Sequence, residues 1–222
     1  MLDVGDFRNA FSGRRRLLWT DGTLTEFVHS IFRPESILTN EGIKLDALFT
    51  ARNLDRIAGF KVELTTNLAD HLSFRDSDST VMVFHHASFL KRQQGNPIFP
   101  AELITETLHT LSVLFPRGDR DAKRWYNKQE DPEELDLGLF ECGLPHRRIE
   151  GYKYWHDRLV ILKQAFDESR PATFSQWWND RREGVQWYSL WIAIAFTVFF
   201  GLVQSIKGAL QVYNGWHPTP IS

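Results

Sequence analysis

Histidine and carboxylate side chains are the residues of this chain best suited to metal-assisted chemistry. Glu106 and His109 lie three positions apart, and on a helix they would share one face, as in carboxylate-bridged di-metal sites. Such a site needs the pair twice, together with two further carboxylates on other helices, so this pair alone does not indicate one. We expect surface and capping roles for Glu106 and His109, and we predict no metal site, cofactor or catalytic residue.

A second histidine group consists of His71, His85 and His86, with Asp70 and Glu102 nearby in sequence. Adjacent residues of a strand face opposite sides, so His85 and His86 would not chelate one ion together. We expect one of the two rings to be packed and the other to be exposed. A membrane-bound metalloenzyme that uses these side chains stays open as an alternative.

Other common chemistries have less support. The sequence contains no G-x-G-x-x-G, no G-x-x-x-x-G-K-[ST] and no G-x-S-x-G motif, which removes the readiest cases for dinucleotide, nucleotide and serine-hydrolase sites. The single cysteine, Cys142, follows Glu141, and neighbouring negative charge raises the pKa of a thiol. With 26 basic and 28 acidic residues, the chain has no excess positive charge for nucleic acid. We therefore predict a non-enzymatic protein that does not bind nucleic acid.

The longest apolar segment, residues 187–206, is free of charged side chains. Twenty helical residues cover about 30 Å, the thickness of the hydrocarbon core of a bilayer. A buried helix of a soluble protein is the alternative, but such a helix usually keeps a polar stripe. Aromatic residues flank the segment, as expected at both membrane interfaces: Trp177, Trp178, Trp187, Tyr188, Trp191, Tyr213 and Trp216. The sequence thus predicts a membrane span, with the lipid bilayer as its partner.

Basic residues predict the orientation of this span. Arg170, Arg181 and Arg182 precede it and Lys207 alone follows closely, which favours a cytosolic N-terminal side. The first residues lack a signal-peptide apolar region. We therefore expect a tail-anchored, single-pass protein of the endoplasmic reticulum or another internal membrane. Its predicted parts are a cytosolic domain (1–170), an aromatic interfacial segment (171–186), the span (187–206) and a short tail (207–222).

The N-terminal domain is expected to be α+β and rich in helices. Periodicity predicts a strand over 14–20, helices over 24–32 and 43–57, and strands over 60–64 and 81–84. A clear amphipathic helix follows over 101–114, then a polar loop over 117–150 and a helix over 152–167. Helices followed by two strands around a polar connection resemble a winged-helix arrangement.

Small residues recur at every fourth position of the predicted span. Rows of this kind allow two transmembrane helices to approach closely. The row therefore predicts either self-association or pairing with a helix of another membrane protein, and an accidental row is the alternative. Its members are Ala193, Thr197, Gly201, Ser205 and Ala209.

Four short phrases of the sequence stand out: NLADHL (67–72), FHHASFL (84–90), ETL leading to LFP (106–116), and QWWNDRR leading to QWY (176–188). Together they resemble a family of uncharacterised filamentous-fungal proteins that end in one membrane helix. The resemblance covers residues 60–213 and implies no activity, ligand or cofactor.

Together these features predict a membrane-anchored interaction or scaffolding module. One alternative is a membrane-active protein that oligomerises and permeabilises bilayers, as some fungal self-recognition effectors do. The other is the membrane-bound metalloenzyme described above.

Overall fold

The structure, a computed structural model, describes residues 19–34, 38, 42–129, 135–169 and 184–216. The chain divides into two compact units, residues 1–179 and 180–222. The first is built from helices and a small sheet, and the second contains one long helix. The predicted α+β class with one C-terminal apolar helix is thereby confirmed.

Six α-helices lie in the described part of the first unit. The first starts with a capping box, in which Thr23 and Glu26 each accept a backbone N–H from the other, so the orphan amides of its first turn are satisfied. The helices are α1 (Leu24–Ile31), α2 (Ala51–Arg56), α3 (Ala87–Arg92), α4 (Ala101–Leu114), α5 (Arg120–Tyr126) and α6 (His156–Glu168).

The sheet contains the strands β1 (Lys61–Thr65), β2 (Ser73–Arg75) and β3 (Thr80–Phe84), with β3 in the middle. All five residues of β3 are buried, as expected for a strand covered on both faces. β1 pairs with β3 in parallel, while β2 pairs with β3 antiparallel. Because β1 and β3 run in the same direction, they cannot form a hairpin. The winged-helix resemblance, which depended on these two strands, is not confirmed.

Aromatic side chains at the ends of the helices form part of the hydrophobic core of the first unit. Trp155 is buried and packs edge to face against Phe32 at a ring-centroid distance of 6.0 Å. On another side of the core, Phe115 contacts Tyr126 and Phe140 at 5.9 and 5.8 Å. These large rings account for much of the buried apolar surface that stabilises the unit.

The predicted polar loop over 117–150 is corrected by the structure. It contains α5, whose first turn is capped by Asp119, and two short 3-10 helices, Leu137–Glu141 and Ile149–Gly151. The region is highly charged, and this composition predicted a loop. A few apolar side chains, such as the buried Tyr126 and Phe140, nevertheless pack into the core and hold the region in place.

The other predicted elements have mixed outcomes. The helix predicted over 43–57 is reduced to α2, because Lys44 forms a β-bridge with Arg148 and Asp46 accepts the backbone N–H groups of Leu48 and Phe49 in a turn. The helices expected over 24–32, 101–114 and 152–167 are present as α1, α4 and α6. The strand predicted over 14–20 lies almost entirely outside the described residues.

The second unit is described as one helix, α7 (Gly184–Trp216), of 33 residues. It continues ten residues beyond the predicted end at Ile206. The first part of the predicted tail is therefore helical. No proline interrupts the chain between Lys207 and Pro218, so nothing in this stretch breaks the helix by removing a backbone N–H. Most of the predicted interfacial segment, 171–183, lies outside the described residues.

Candidate membrane span and polar clusters

The apolar part of α7 that is long enough to cross a membrane runs from Trp191 to Gln211. It has 21 residues and a mean hydropathy of 1.7, and none of it is buried in the protein. A core helix of a soluble protein would be mostly buried, so the exposure of this segment favours the membrane interpretation. The segment overlaps the predicted 187–206 but lies closer to the C-terminal end of α7.

The aromatic residues predicted for the membrane interfaces are only partly described. Tyr188 is exposed and Trp191 is half-buried, and both lie near the start of the apolar segment. Trp187, Tyr213 and Trp216 belong to α7 by their backbone. Trp177 and Trp178 lie outside the described residues. The aromatic belt therefore stays a prediction.

The small-residue row lies on the exposed surface of α7. The hydroxyl of Thr197 donates a hydrogen bond of 2.8 Å to the carbonyl of Ala193, so this polar group needs no other partner in a membrane. A Cβ built on Gly201 would meet no atom within 4 Å, so the described chain leaves this position open. Association through Gly201, Ser205 and Ala209 stays a prediction.

Glu106 is a buried anchor for the start of α6. Its side chain accepts backbone N–H groups from Lys153, Tyr154 and Trp155 at 2.7–2.8 Å, just before α6 begins. Burial raises the pKa of its carboxyl, and the three N–H donors oppose that shift. The expected capping role fits this arrangement, but the expected surface position is wrong, since Glu106 is 5% exposed.

His71 connects the sheet to α4. Its Nδ1 accepts the backbone N–H of Phe84 at 3.2 Å, which leaves Nε2 as the donor to the hydroxyl of Thr110 at 2.7 Å. The guanidinium of Arg158 donates to the carbonyls of Ala69 and His71. Burial, together with the charge of Arg158, lowers the pKa of His71 to about 3. The ring is therefore held neutral, as a structural hydrogen-bond bridge.

This bridge predicts a loss of stability in weak acid. The pKa of His71 falls from 6.5 in the unfolded chain to about 3 in the folded protein, so only the unfolded chain takes up this proton as the pH drops below 6.5. At pH 5 the free energy of unfolding should be smaller by about 2 kcal/mol than at neutral pH. Urea unfolding of the full chain in mild detergent would measure it.

In His71→Gln, the drop in the free energy of unfolding between neutral pH and pH 5 should be smaller than in the wild type by about 2 kcal/mol. His29→Gln, at an exposed position of α1, should keep the wild-type drop. An unchanged pH dependence in His71→Gln would contradict the neutral bridge.

Four other histidines form two ring pairs. His85 is buried and His86 is half-buried, with ring centroids 4.1 Å apart. The expectation that they face opposite sides was wrong, because β3 ends at Phe84 and His86 is already the N-cap residue of α3. His109 stacks on His146 at a ring-centroid distance of 5.8 Å, while Glu106 accepts the backbone N–H groups that precede α6.

A polar cluster at the end of β3 was missed by sequence reasoning. Asp136 accepts hydrogen bonds from the backbone N–H and the hydroxyl of Ser88, at 2.5 and 2.7 Å. Burial alone would raise the pKa of Asp136, but the hydrogen bonds from Ser88 and Gly138 and the nearby His86 outweigh it, so the pKa lies below its usual value. An open cavity of about 300 Å³ adjoins the cluster, with Arg92, Phe89 and Leu135 completing its lining. Ser88 and Asp136 are 48 positions apart, so no local sequence pattern could indicate that they form a cluster.

Cys142 lies beside this cluster. Burial raises the pKa of its thiol to about 11, and its sulfur contacts the carbonyls of Gly138 and Leu139. The thiol is therefore not activated as a nucleophile. Within the described residues, no three His, Cys, Asp or Glu side chains are placed to hold a metal ion.

No family model, no curated protein and no solved structure matches this chain. The resemblance to fungal membrane proteins therefore stays a prediction.

Proposed function

We propose that this protein is a single-pass membrane protein whose α+β unit works as a non-enzymatic interaction or scaffolding module on the cytosolic side of an internal membrane. The observation that carries the proposal is the exposed apolar segment Trp191–Gln211 of α7. In water, 21 exposed residues of this hydropathy would be a strong aggregation liability, whereas a bilayer covers them.

The polar clusters of the first unit support a module without catalysis. Glu106 and His71 are buried, and each side chain accepts a hydrogen bond from a backbone N–H group of a distant part of the chain. The hydroxyl of Ser88 donates to a carboxylate and not to a histidine base, so it lacks the activation of a serine nucleophile. In each case the hydrogen bonding stabilises the fold.

The proposal predicts resistance to extraction. The full chain expressed in cells should stay in the membrane pellet after alkaline carbonate, which removes peripheral proteins, and should be released by detergent. Release of the intact chain by carbonate would contradict the membrane span.

Topology can be tested in sealed microsomes. Protease added from outside should digest the α+β unit, because the arginines at 170, 181 and 182 outnumber Lys207 and favour a cytosolic position for that side. A fragment containing α7 should be protected. Protection of the α+β unit instead, with its digestion after detergent is added, would reverse the proposed orientation.

A further inference from the structure

Polar side chains recur at every seventh position of α7. Thr197, Gln204 and Gln211 follow one another at this interval, and all three are exposed. The helix is unbroken from Gly184 to Trp216, so successive members of the series are displaced by only about 20° around its axis. They therefore share one face. The small-residue row shares Thr197 with this face and turns by about 40° per step in the opposite direction, so Ser205 and Ala209 lie off the face while Gly201 borders it.

Gln204 is the polar group of this face that most needs a partner in a membrane. It lies seven residues, or about 10 Å, before Gln211 at the end of the apolar segment. Thr197 is already satisfied by the carbonyl of Ala193. The carboxamide of Gln204 makes no hydrogen bond within the described residues, although it offers two donors and an acceptor. Because hydrocarbon contains no water to replace these bonds, the group favours helix association.

We infer that α7 associates with a second copy of this chain, in parallel, through a face centred on Gln204. Copies inserted with the same topology are parallel and place Gln204 at the same depth. A carboxamide is both donor and acceptor, so two Gln204 side chains complement each other. Seven-residue spacing also matches the left-handed crossing of about 20° that is common among membrane helices. This inference rests on the proposed function, since it requires α7 to lie in a bilayer.

Lys207 lies at the edge of this face. It is four residues, or about 6 Å, before Gln211, so its long side chain can extend to the headgroups and keep its charge out of the contact. α7 contains no Asp or Glu, so a second copy offers no carboxylate to pair with Lys207. A helix from another protein that carries an acidic residue is therefore the competing occupant.

Energy transfer between two differently labelled forms of the full chain, reconstituted in vesicles of neutral lipid, tests the inference. Association should be about three- to tenfold weaker for Gln204→Leu than for the wild type, in the range of interhelical polar contacts in membranes. Gln204→Asn keeps a carboxamide and should retain association. Leu202→Ala changes an exposed residue about 160° around the helix from Gln204 and should leave the Gln204 contact in place.

Two results would overturn the inference. Equal energy transfer for the wild type and Gln204→Leu would show that Gln204 is not part of the contact. No energy transfer between wild-type copies in vesicles that contain no other protein would leave α7 as a plain anchor or assign the face to another protein. Carbonate extraction of the same vesicles separates this failure from failure of the proposed function. Gln204→Leu makes the segment more apolar and should stay inserted, so loss of association with full retention concerns the contact only.

Discussion

Arginine at both Phe199 and Phe200 is expected to remove this protein from membranes. The two rings lie near the middle of the segment Trp191–Gln211 and are 59% and 57% exposed. Each arginine at the centre of a span costs about 2.5–3.5 kcal/mol on insertion scales, so the pair should cost about 5–7 kcal/mol. Fractionation of cells that express the double variant should find it in the soluble fraction or degraded.

The control places two arginines on the α+β unit. Leu137 and Leu144 are 56% and 90% exposed, so Leu137→Arg with Leu144→Arg adds the same charge without touching α7. This variant should stay in the membrane fraction. Full retention of a stable Phe199→Arg, Phe200→Arg protein would mean that another part of the chain holds the membrane.

Replacement of Glu106 with alanine is expected to destabilise the α+β unit strongly. It removes the acceptor of three backbone N–H groups before α6, and a buried donor left without a partner costs about 1–3 kcal/mol. The combined loss should be at least about 3 kcal/mol, which is a large fraction of the stability of a typical domain. Urea unfolding in mild detergent, or protease resistance of the α+β unit, would measure it.

Glu102, one helical turn away, provides a matched control. It forms an ion pair of 2.6 Å with Lys153, and both side chains are more than half exposed. Because exposed ion pairs contribute about 0–1 kcal/mol, Glu102→Ala should unfold almost as the wild type does. Glu106→Gln keeps one carbonyl acceptor and should fall between the two. Similar losses in Glu102→Ala and Glu106→Ala would show that Glu106 is not the anchor described above.

The elements that could be predicted from the sequence are those with strong local signals. α1 has a capping box, and α4 has apolar residues at helical spacing until Leu114. The apolar segment of α7 follows from its length alone. In these cases the residues that decide the structure lie within one or two helical turns of each other.

The rest depends on partners that are distant in sequence. Glu106 binds backbone groups 47 to 49 positions later, and Ser88 binds Asp136 at a separation of 48. β1 could be found by the alternation of its residues and β3 by its short apolar run, but their parallel pairing depends on how the chain between them crosses over. Likewise, α5 is short and highly charged, and its place in the core is decided by the tertiary contacts of Tyr126.

The central claim, that α7 crosses a bilayer, is tested most directly by labelling single cysteines in sealed microsomes with a membrane-impermeant maleimide. The native Cys142 is first replaced by serine, and one cysteine is then introduced at Ser30, Thr197 or Asn214. A bilayer-spanning α7 with a cytosolic α+β unit predicts labelling of Ser30→Cys from outside and of Asn214→Cys only after permeabilisation. Thr197→Cys, in the middle of the apolar segment, should be labelled only after the membrane is dissolved. Ready labelling of Thr197→Cys in intact membranes would show that α7 is not in the bilayer and would contradict the account.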